Sequence, residues 1–374
     1  MPRPITAVIH HDALQHNLSI AREMAPDSQV FAVVKANAYG HGIERVYSSF
    51  KTADGFALLD IEEAKRIRAL GWTGTILLLE GIFSAQDLFD CDQYNLSFTV
   101  HSQHQIDWIQ QYAVIQNQQD QKIVQFDIFL KMNSGMNRLG FNPEHYQSAW
   151  HQLNSLNSIH SITHMMHFSD ADGERFGRSG IEYQRQIFEE AIRDLPGKRS
   201  LSNSAATLRY SKQLHSDYVR SGIMLYGSSP DYPEHNIQDW KLEPTMSLRS
   251  EIIAIQNLEA NETVGYGSRF IAKQTMKIGI VACGYADGYQ RISTDAPVLV
   301  NSIRSQTIGR VSMDMLAVDL THVENAEIGS EVVLWGKSSS GAVLPIDEVA
   351  ISSGTVGYEL MCGVTNRVNF VNEH

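Results

Sequence analysis

Between residues 31 and 225 the sequence returns eight times to a short, nearly uninterrupted apolar run: 31–36, 55–59, 75–80, 96–100, 126–132, 162–168, 200–205 and 218–225. Strands that are apolar on both faces belong to parallel sheets covered by helices. Several of the intervening segments carry helical signals. Asp12 is a candidate N-cap, and Leu14, Leu18, Ala21 and Ala25 follow at helical spacing. Asp60 opens a second helix, with Glu63 three residues on as in a capping box and Gly71 at its end. Eight such units predict an α/β fold that closes as a (β/α)8 TIM-like barrel.

Past Pro230 the character changes. Residues 231–239 are polar and turn-rich and read as a linker. Strand-like runs follow at 248–255, 277–282, 298–301, 315–320 and 331–335, with few helical patterns. The expected organisation is a barrel domain at 1–235 and a mainly β domain at 236–374, and two domains suit a chain of 374 residues. The glutamine-rich stretch 116–121 reads as a polar helix end and loop.

The formal net charge of −12 argues against nonspecific binding to nucleic acid or to an anionic membrane. The N-terminus lacks the apolar core of a signal peptide, and no stretch approaches the length of a membrane span. Three scattered cysteines, Cys91, Cys283 and Cys362, fit reduced thiols rather than a disulfide framework. A cytoplasmic location is expected.

Chemistry in such a barrel sits where strands end at their carboxyl side. Lys35 ends the first run. Dehydration there favours a free amine able to form a Schiff base or take a proton. Lys131, Ser134 and Arg138 follow the fifth run, His167 closes the sixth, Ser204 closes the seventh, and Arg220 and Gly222-Ile223 lie in the eighth. Each has a plainer reading alone: a snorkelling lysine, a satisfied core histidine, a salt-bridged arginine. A spacing of three puts His164 and His167 on opposite faces of a strand, so no shared metal is expected. Together, a lysine, a phosphate site after strands seven and eight, and a flat imidazole suggest pyridoxal 5'-phosphate held through Lys35.

The motifs Ala32-Val-Val-Lys-Ala-Asn-Ala-Tyr-Gly-His41, Lys131-Met-Asn-Ser-Gly-Met-Asn-Arg-Leu-Gly140, His167-Phe-Ser, Asn203-Ser-Ala-Ala206 and Arg220-Ser-Gly-Ile-Met-Leu-Tyr-Gly227 occur in that order. Val264-Gly-Tyr-Gly267, Gly284-Tyr-Ala-Asp-Gly-Tyr289, Gly309-Arg-Val-Ser-Met-Asp314 and Gly357-Tyr-Glu359 follow. With these the chain closely resembles the bacterial alanine racemases, almost end to end. The resemblance implies a homodimer that interconverts L- and D-alanine on pyridoxal 5'-phosphate and supplies or recycles D-alanine for peptidoglycan. It implies that Lys35 carries the cofactor and is one catalytic base, while Tyr266 of the partner subunit is the other. Arg220 approaches the pyridine nitrogen and His167 packs near the ring. Tyr39, Ser204, the Gly222-Ile223 backbone and Tyr358 hold the phosphate, and Asn203 counts with the cofactor-binding residues. Arg138 and the backbone N–H of Met313 receive the substrate carboxylate, Tyr285 lines the entrance, and Lys131 is a candidate for carbamylation.

Inverting a stereocentre requires removing a proton on one face and delivering one on the other, so two bases must flank the α-carbon. A phenol is ordinarily a poor base at neutral pH, and Arg138 is the expected source of positive potential. Asn133 stands where relatives commonly carry aspartate, and Gln290 where proline is frequent. Three rival readings remain: a barrel-fold amino acid decarboxylase, a non-catalytic pyridoxal-phosphate-binding protein, and a broad-specificity racemase.

Overall fold

The computed structural model describes residues 3–118, 124–174 and 180–373. The chain divides into two compact units. One holds Leu18–Ala38 and Tyr47–Met224; the other holds the residues up to Asn17, Tyr39–Val46 and everything from Leu225 on. Strand β1 (Ile5–His10) lies in the second of these and is described with it.

The first unit is built on eight parallel strands: β2 (Gln29–Val33), β3 (Gly55–Leu58), β4 (Thr75–Leu78), β5 (Ser97–Val100), β6 (Phe126–Lys131), β7 (Ile159–Met165), β8 (Lys198–Ser200) and β9 (Tyr218–Ser221). Their order is β8-β7-β6-β5-β4-β3-β2-β9, with β9 beside β2. Between β8 and β9 the ring is joined without a regular ladder. Arg220 N–H donates to Ser202 O at 3.0 Å, Arg199 N–H to Asp217 Oδ2 at 2.7 Å, and Ser200 Oγ–H to Tyr218 O at 3.2 Å. β3 and β5 are buried along their whole length, the hydroxyl residues Ser97 and Thr99 of β5 included. Phe31, Phe129 and Tyr218 pack as tilted rings with centroids 5.1–6.2 Å apart. A fully buried phenylalanine contributes about 2–3 kcal/mol.

All eight expected barrel strands form, but several end earlier than the apolar runs. Val34, Met166, Leu201 and Ile223 are buried in the turns beyond, so hydrophobicity does not mark where extended backbone stops. Lys35 and His167 therefore follow strands rather than closing them, and Ser204 opens the helix Ser204–Tyr210. Helix Ile61–Ala69 is capped by Asp60, which accepts from Glu62 N–H at 2.9 Å. The expected capping box is replaced: the Glu63 carboxylate accepts from Asn37 N–H at 2.6 Å. Helix Gln103–Gln118 covers the start of the glutamine-rich stretch, and its remainder lies outside the described residues.

The second unit carries β10 (Met246–Leu258), β11 (Thr263–Val264), β12 (Phe270–Ile271), β13 (Met276–Val281), β14 (Pro297–Val300), β15 (Ile303–Ile308), β16 (Leu316–Asp319), β17 (Glu331–Lys337), β18 (Val343–Leu344) and β19 (Asn369–Glu373). Antiparallel pairing runs β14-β15-β16-β13-β10-β17 and returns from β17 to β14, a closed ring. The long β10 reaches three partners because its register shifts between Leu248 and Arg249 and between Ile252 and Ala254. Such bulges bend a strand. β1 joins antiparallel to β10 (Ile5↔Ser250) and parallel to β19 (Thr6↔Asn369). Of the residues expected in the 1–235 domain, those up to Asn17, 39–46 and 225–235 lie in the second unit. Within the expected linker, buried Asp231 accepts from Ser229 Oγ, Trp240 Nε1 and His235 Nδ1, which fixes an ordered turn.

Candidate active site

Past β2 the backbone turns left-handed. Ala36 (φ 53°, ψ 50°), Asn37 (φ 52°, ψ 49°) and Ala38 (φ 56°, ψ 55°) are followed by Tyr39 at φ 51° and Gly40 at φ 79°. Each L-residue in that region costs about 1–2 kcal/mol, and such residues usually occur singly. Half-buried Lys35 opens this turn. Asn37 is held from outside: its N–H by Glu63 and its Oδ1 by Arg66 Nη2 at 2.9 Å.

On β9, the strand beside β2, Arg220 is fixed by bonds from its two terminal nitrogens. Nη1 donates to Ser200 O (2.7 Å) and Ser200 Oγ (2.6 Å); Nη2 donates to Met166 O (2.8 Å), Leu201 O (3.2 Å) and His167 Nδ1 (3.3 Å). None of these bonds uses Nε. Burial first, then Arg138, pushes its guanidinium down to about 9, yet at neutral pH it stays charged. Arginine only donates, so His167 Nδ1 accepts and the ring proton is assigned to Nε2. Burial and the surrounding cations Arg220, Lys131, Arg138 and Lys35 hold this imidazole well below its ordinary value, hence neutral. Asn203 Nδ2 lies 3.5 Å from Nε2 and donates to Phe168 O at 3.3 Å, while its Oδ1 caps helix Ser204–Tyr210 through Ala206 N–H at 3.0 Å. Ser204 Oγ accepts from Gly222 N–H at 2.9 Å and from Met224 N–H at 3.4 Å. That brings a hydroxyl and the backbone around Gly222-Ile223 to one point.

Lys131 ends β6 and is 5% exposed. Burial, with Arg220, Arg138 and Lys35 adding repulsion and Glu80 opposing them, lowers its ammonium to about 8. Exposed Arg138 rides on a loop pinned at its base, where Phe141 N–H donates to Lys131 O (2.9 Å) and Asn133 N–H to Phe141 O (2.9 Å). Asn133 knits the loop. Its Oδ1 accepts from Gly135 N–H (3.2 Å) and Asn137 N–H (2.9 Å), and its Nδ2 donates to Asn137 Oδ1 (3.1 Å) and Asn142 Oδ1 (3.4 Å). An aspartate could not donate the last two.

The other expected residues lie in the second unit. Tyr39 stacks on Tyr226 at 4.4 Å between ring centroids and tilts against Tyr358 at 5.9 Å. Burial, then Tyr358 and Cys362, pushes the Tyr39 phenol up, so it keeps its proton. Tyr266 stands on a single turn (Tyr266–Ser268) between Gly265 (φ 72°) and Gly267 (φ 75°), 67% exposed. Met313, 52% exposed, lies against the Tyr285 turn: Tyr285 N–H donates to Ser312 O and Ala286 N–H to Met313 O, both at 3.0 Å. A Cβ on Gly284 would sit 2.3 Å from Met313 O, so the approach requires glycine.

Residues 9–230 match the family described as alanine racemase, N-terminal domain, and residues 245–372 match alanine racemase, C-terminal domain. The chain belongs to the alanine racemase family. It is 71% identical over 374 residues to the alanine racemase of Acinetobacter baumannii (strain SDF), covering all of both chains, and 59% identical to that of Acidovorax ebreus, covering 99% of each. Among solved structures, a biosynthetic alanine racemase from Pseudomonas aeruginosa superposes with a TM-score of 0.92 at 40% identity, covering both chains fully. An alanine racemase from Acinetobacter baumannii gives 0.89 at 35%, covering 99% of this chain and 100% of the other.

Family motifs do not point to every residue that shapes the site. Ser200 accepts two of the bonds that aim Arg220, and its only sequence signal is its place at the start of the 200–205 run. Gln184, buried in helix Glu182–Ile192, donates to His167 O (3.1 Å) and accepts from Ser169 N–H (2.8 Å). Asp287, fully buried, accepts from Arg3 Nη1 (2.7 Å) and Gly284 N–H (2.9 Å), with Arg367 Nε at 3.3 Å, and so braces the Tyr285 turn. The signal for Asp287 was its place in the Gly284–Tyr289 motif; for Gln184 there was none.

Proposed function

We propose that this protein interconverts L- and D-alanine on pyridoxal 5'-phosphate, as a cytoplasmic homodimer whose active sites are shared between chains, with neither nucleic acid nor membrane as partner. No described helix is long and apolar enough to cross a membrane. The residues present fit the cofactor. A serine hydroxyl meets backbone N–H groups at a side-chain-free glycine, a lysine amine opens the turn after β2, and a neutral imidazole touches a guanidinium. When bound, the cofactor spreads the negative charge that builds on the substrate α-carbon.

The observation that carries the reading is Arg220. Its terminal nitrogens are committed to Ser200, Met166, Leu201 and His167, which leaves Nε–H as the donor for the pyridine nitrogen. A charged donor that cannot accept keeps that nitrogen unprotonated. A decarboxylase would place an acid there.

Lys35 Nζ and Oη of Tyr266 of the partner subunit exchange protons with the α-carbon from opposite faces, one taking as the other gives. Arg138 and Met313 N–H receive the substrate carboxylate, and Tyr285 narrows the entrance. Ser204, Gly222, Ile223, Tyr358 and the protonated Tyr39 phenol hold the phosphate, His167 supports the ring, and Asn203 fixes the helix that presents Ser204. The Lys131 amine adds carbon dioxide and releases a proton, becoming a carbamate anion beside Arg138. D-alanine for peptidoglycan is the expected use of the product.

The test is incubation of the purified protein with L-alanine in deuterated water. D-alanine carrying α-deuterium is expected. Ethylamine would favour a decarboxylase, and unchanged L-alanine without α-exchange would favour a silent carrier.

A further inference from the structure

We propose that Glu63 and Arg66, on helix Ile61–Ala69, are positioning residues for the Lys35 amine. The inference rests on the reading above that Lys35 carries the cofactor. Lys35 is the first residue of a turn whose next four residues all lie at positive φ, and none of those four is glycine. Backbone of that kind persists only where the surroundings over-determine it. One hydrogen bond closing the turn runs from Ala38 N–H to Val34 O at 2.9 Å. Helix Ile61–Ala69 grips the turn at Asn37. Glu63 Oε1 accepts its N–H at 2.6 Å, and Arg66 Nη2 donates to its Oδ1 at 2.9 Å.

Glu63 and Arg66 are three apart and share one helix face, and they seize a donor and an acceptor of the same residue. Asp60 N–H, the partner a capping-box glutamate would take, is passed over for Asn37. Released from this grip, the turn relaxes toward right-handed or extended backbone and carries the lysine with it. Neither residue touches the reacting atoms; each acts through Asn37.

The experiment compares wild type with Glu63→Ala, Glu63→Gln, Arg66→Ala and Arg66→Lys in three readouts. The first is hydrogen exchange of the Asn37 amide in cofactor-free protein. The second is the rate at which cofactor-free protein is covalently trapped by pyridoxal 5'-phosphate and borohydride at Lys35. The third is kcat and KM for alanine in loaded enzyme.

In both alanine variants, loss of one such bond should slow trapping and lower kcat by about tenfold while KM changes less than twofold. The Asn37 amide should exchange about tenfold faster in Glu63→Ala. Glu63→Gln keeps an acceptor oxygen and Arg66→Lys keeps a donor, so both should retain most activity. They also stand in should an alanine variant fail to fold: a Gln variant that exchanges Asn37 freely yet keeps wild-type trapping and kcat overturns the proposal. Wild-type trapping in the alanine variants overturns it too, while leaving the racemase reading intact. Absence of trapping and of racemisation in the wild type overturns both.

Discussion

Stripping dissolved carbon dioxide from the buffer should slow this protein reversibly, and the cause lies at Lys131. An ordinary lysine at pH 7 presents about one molecule in three thousand as free amine. With its ammonium lowered to about 8, Lys131 presents roughly one in ten. Only the free amine can attack the carbon of carbon dioxide and, on losing a proton, become the carbamate. Its product exchanges a cation for an anion in a setting where Arg220, Arg138 and Lys35 stand against Glu80. The carbamate then gives Arg138 a charged partner, and a hydrogen bond of that class contributes about 1.5–3 kcal/mol. Loss of it should cost about 10- to 100-fold in kcat/KM. Protein equilibrated with 13C-bicarbonate should show one slowly exchanging carbamate carbon by NMR, absent in Lys131→Met, and that variant should ignore carbon dioxide altogether. No labelled carbon in wild type, or an identical signal in Lys131→Met, would refute the reasoning.

Tyr266→Phe should abolish most racemisation in both directions yet leave borohydride trapping at Lys35 near wild type; full activity would end the two-base reading. Asp287→Ala leaves Gly284 N–H buried without its acceptor and takes a carboxylate from Arg3 and from Arg367, which then keep only Asp314 among the described residues. It should cost about 3 kcal/mol in denaturant unfolding and raise KM for alanine more than it lowers kcat; an unchanged KM would speak against bracing of the Tyr285 turn. Ser221 Oγ, fully buried, has no hydrogen-bond partner among the described residues, so Ser221→Ala should stabilise the fold by about 1 kcal/mol, read as a higher urea midpoint. Burial raises the Asp347 carboxyl to about 6 from an unfolded value of 3.8, despite bonds from Ser228 Oγ and Ser229 N–H. The folded chain therefore holds a proton between those values that the unfolded chain has released, and stability falls as pH rises through that window, by about 3 kcal/mol at its end. Asp347→Asn should flatten the wild-type slope between pH 4 and 6; superimposable slopes would contradict the assignment.

The barrel was legible because burial on both faces of a parallel strand leaves an apolar run that nothing else of that length produces so regularly. Its strand ends were not, since Val34, Met166 and Leu201 are buried in turns and look like strand in the sequence. β1 escaped notice for another reason. Six residues give little periodicity, and its partners begin at Met246 and Asn369, a pairing that no local pattern encodes. At the site, Lys35, Arg220 and Ser204 stood out as chemistry at expected strand ends. Glu63 was visible but misread: Asp60 followed three residues later by Glu63 spells a capping box, and only the left-handed backbone at Asn37 diverts the carboxylate. Gln184 and Ser200 act by holding others in place, and small polar residues doing that work carry no mark of it in composition or spacing.

The pairing of β1 bears on the order in which this protein is assembled during synthesis. Residues 5–10 are made well before their partners and find edges to bind only after Met246–Leu258 and then Asn369–Glu373 have been made. Meanwhile β2 to β9 can close around their own core as soon as residue 221 is free. The leading segment must stay unpaired through that interval, exposed to chaperones and to neighbouring nascent chains. Aggregation during expression should therefore respond to substitutions at Ile5, Val8 and Ile9 more strongly than their small share of the finished core suggests.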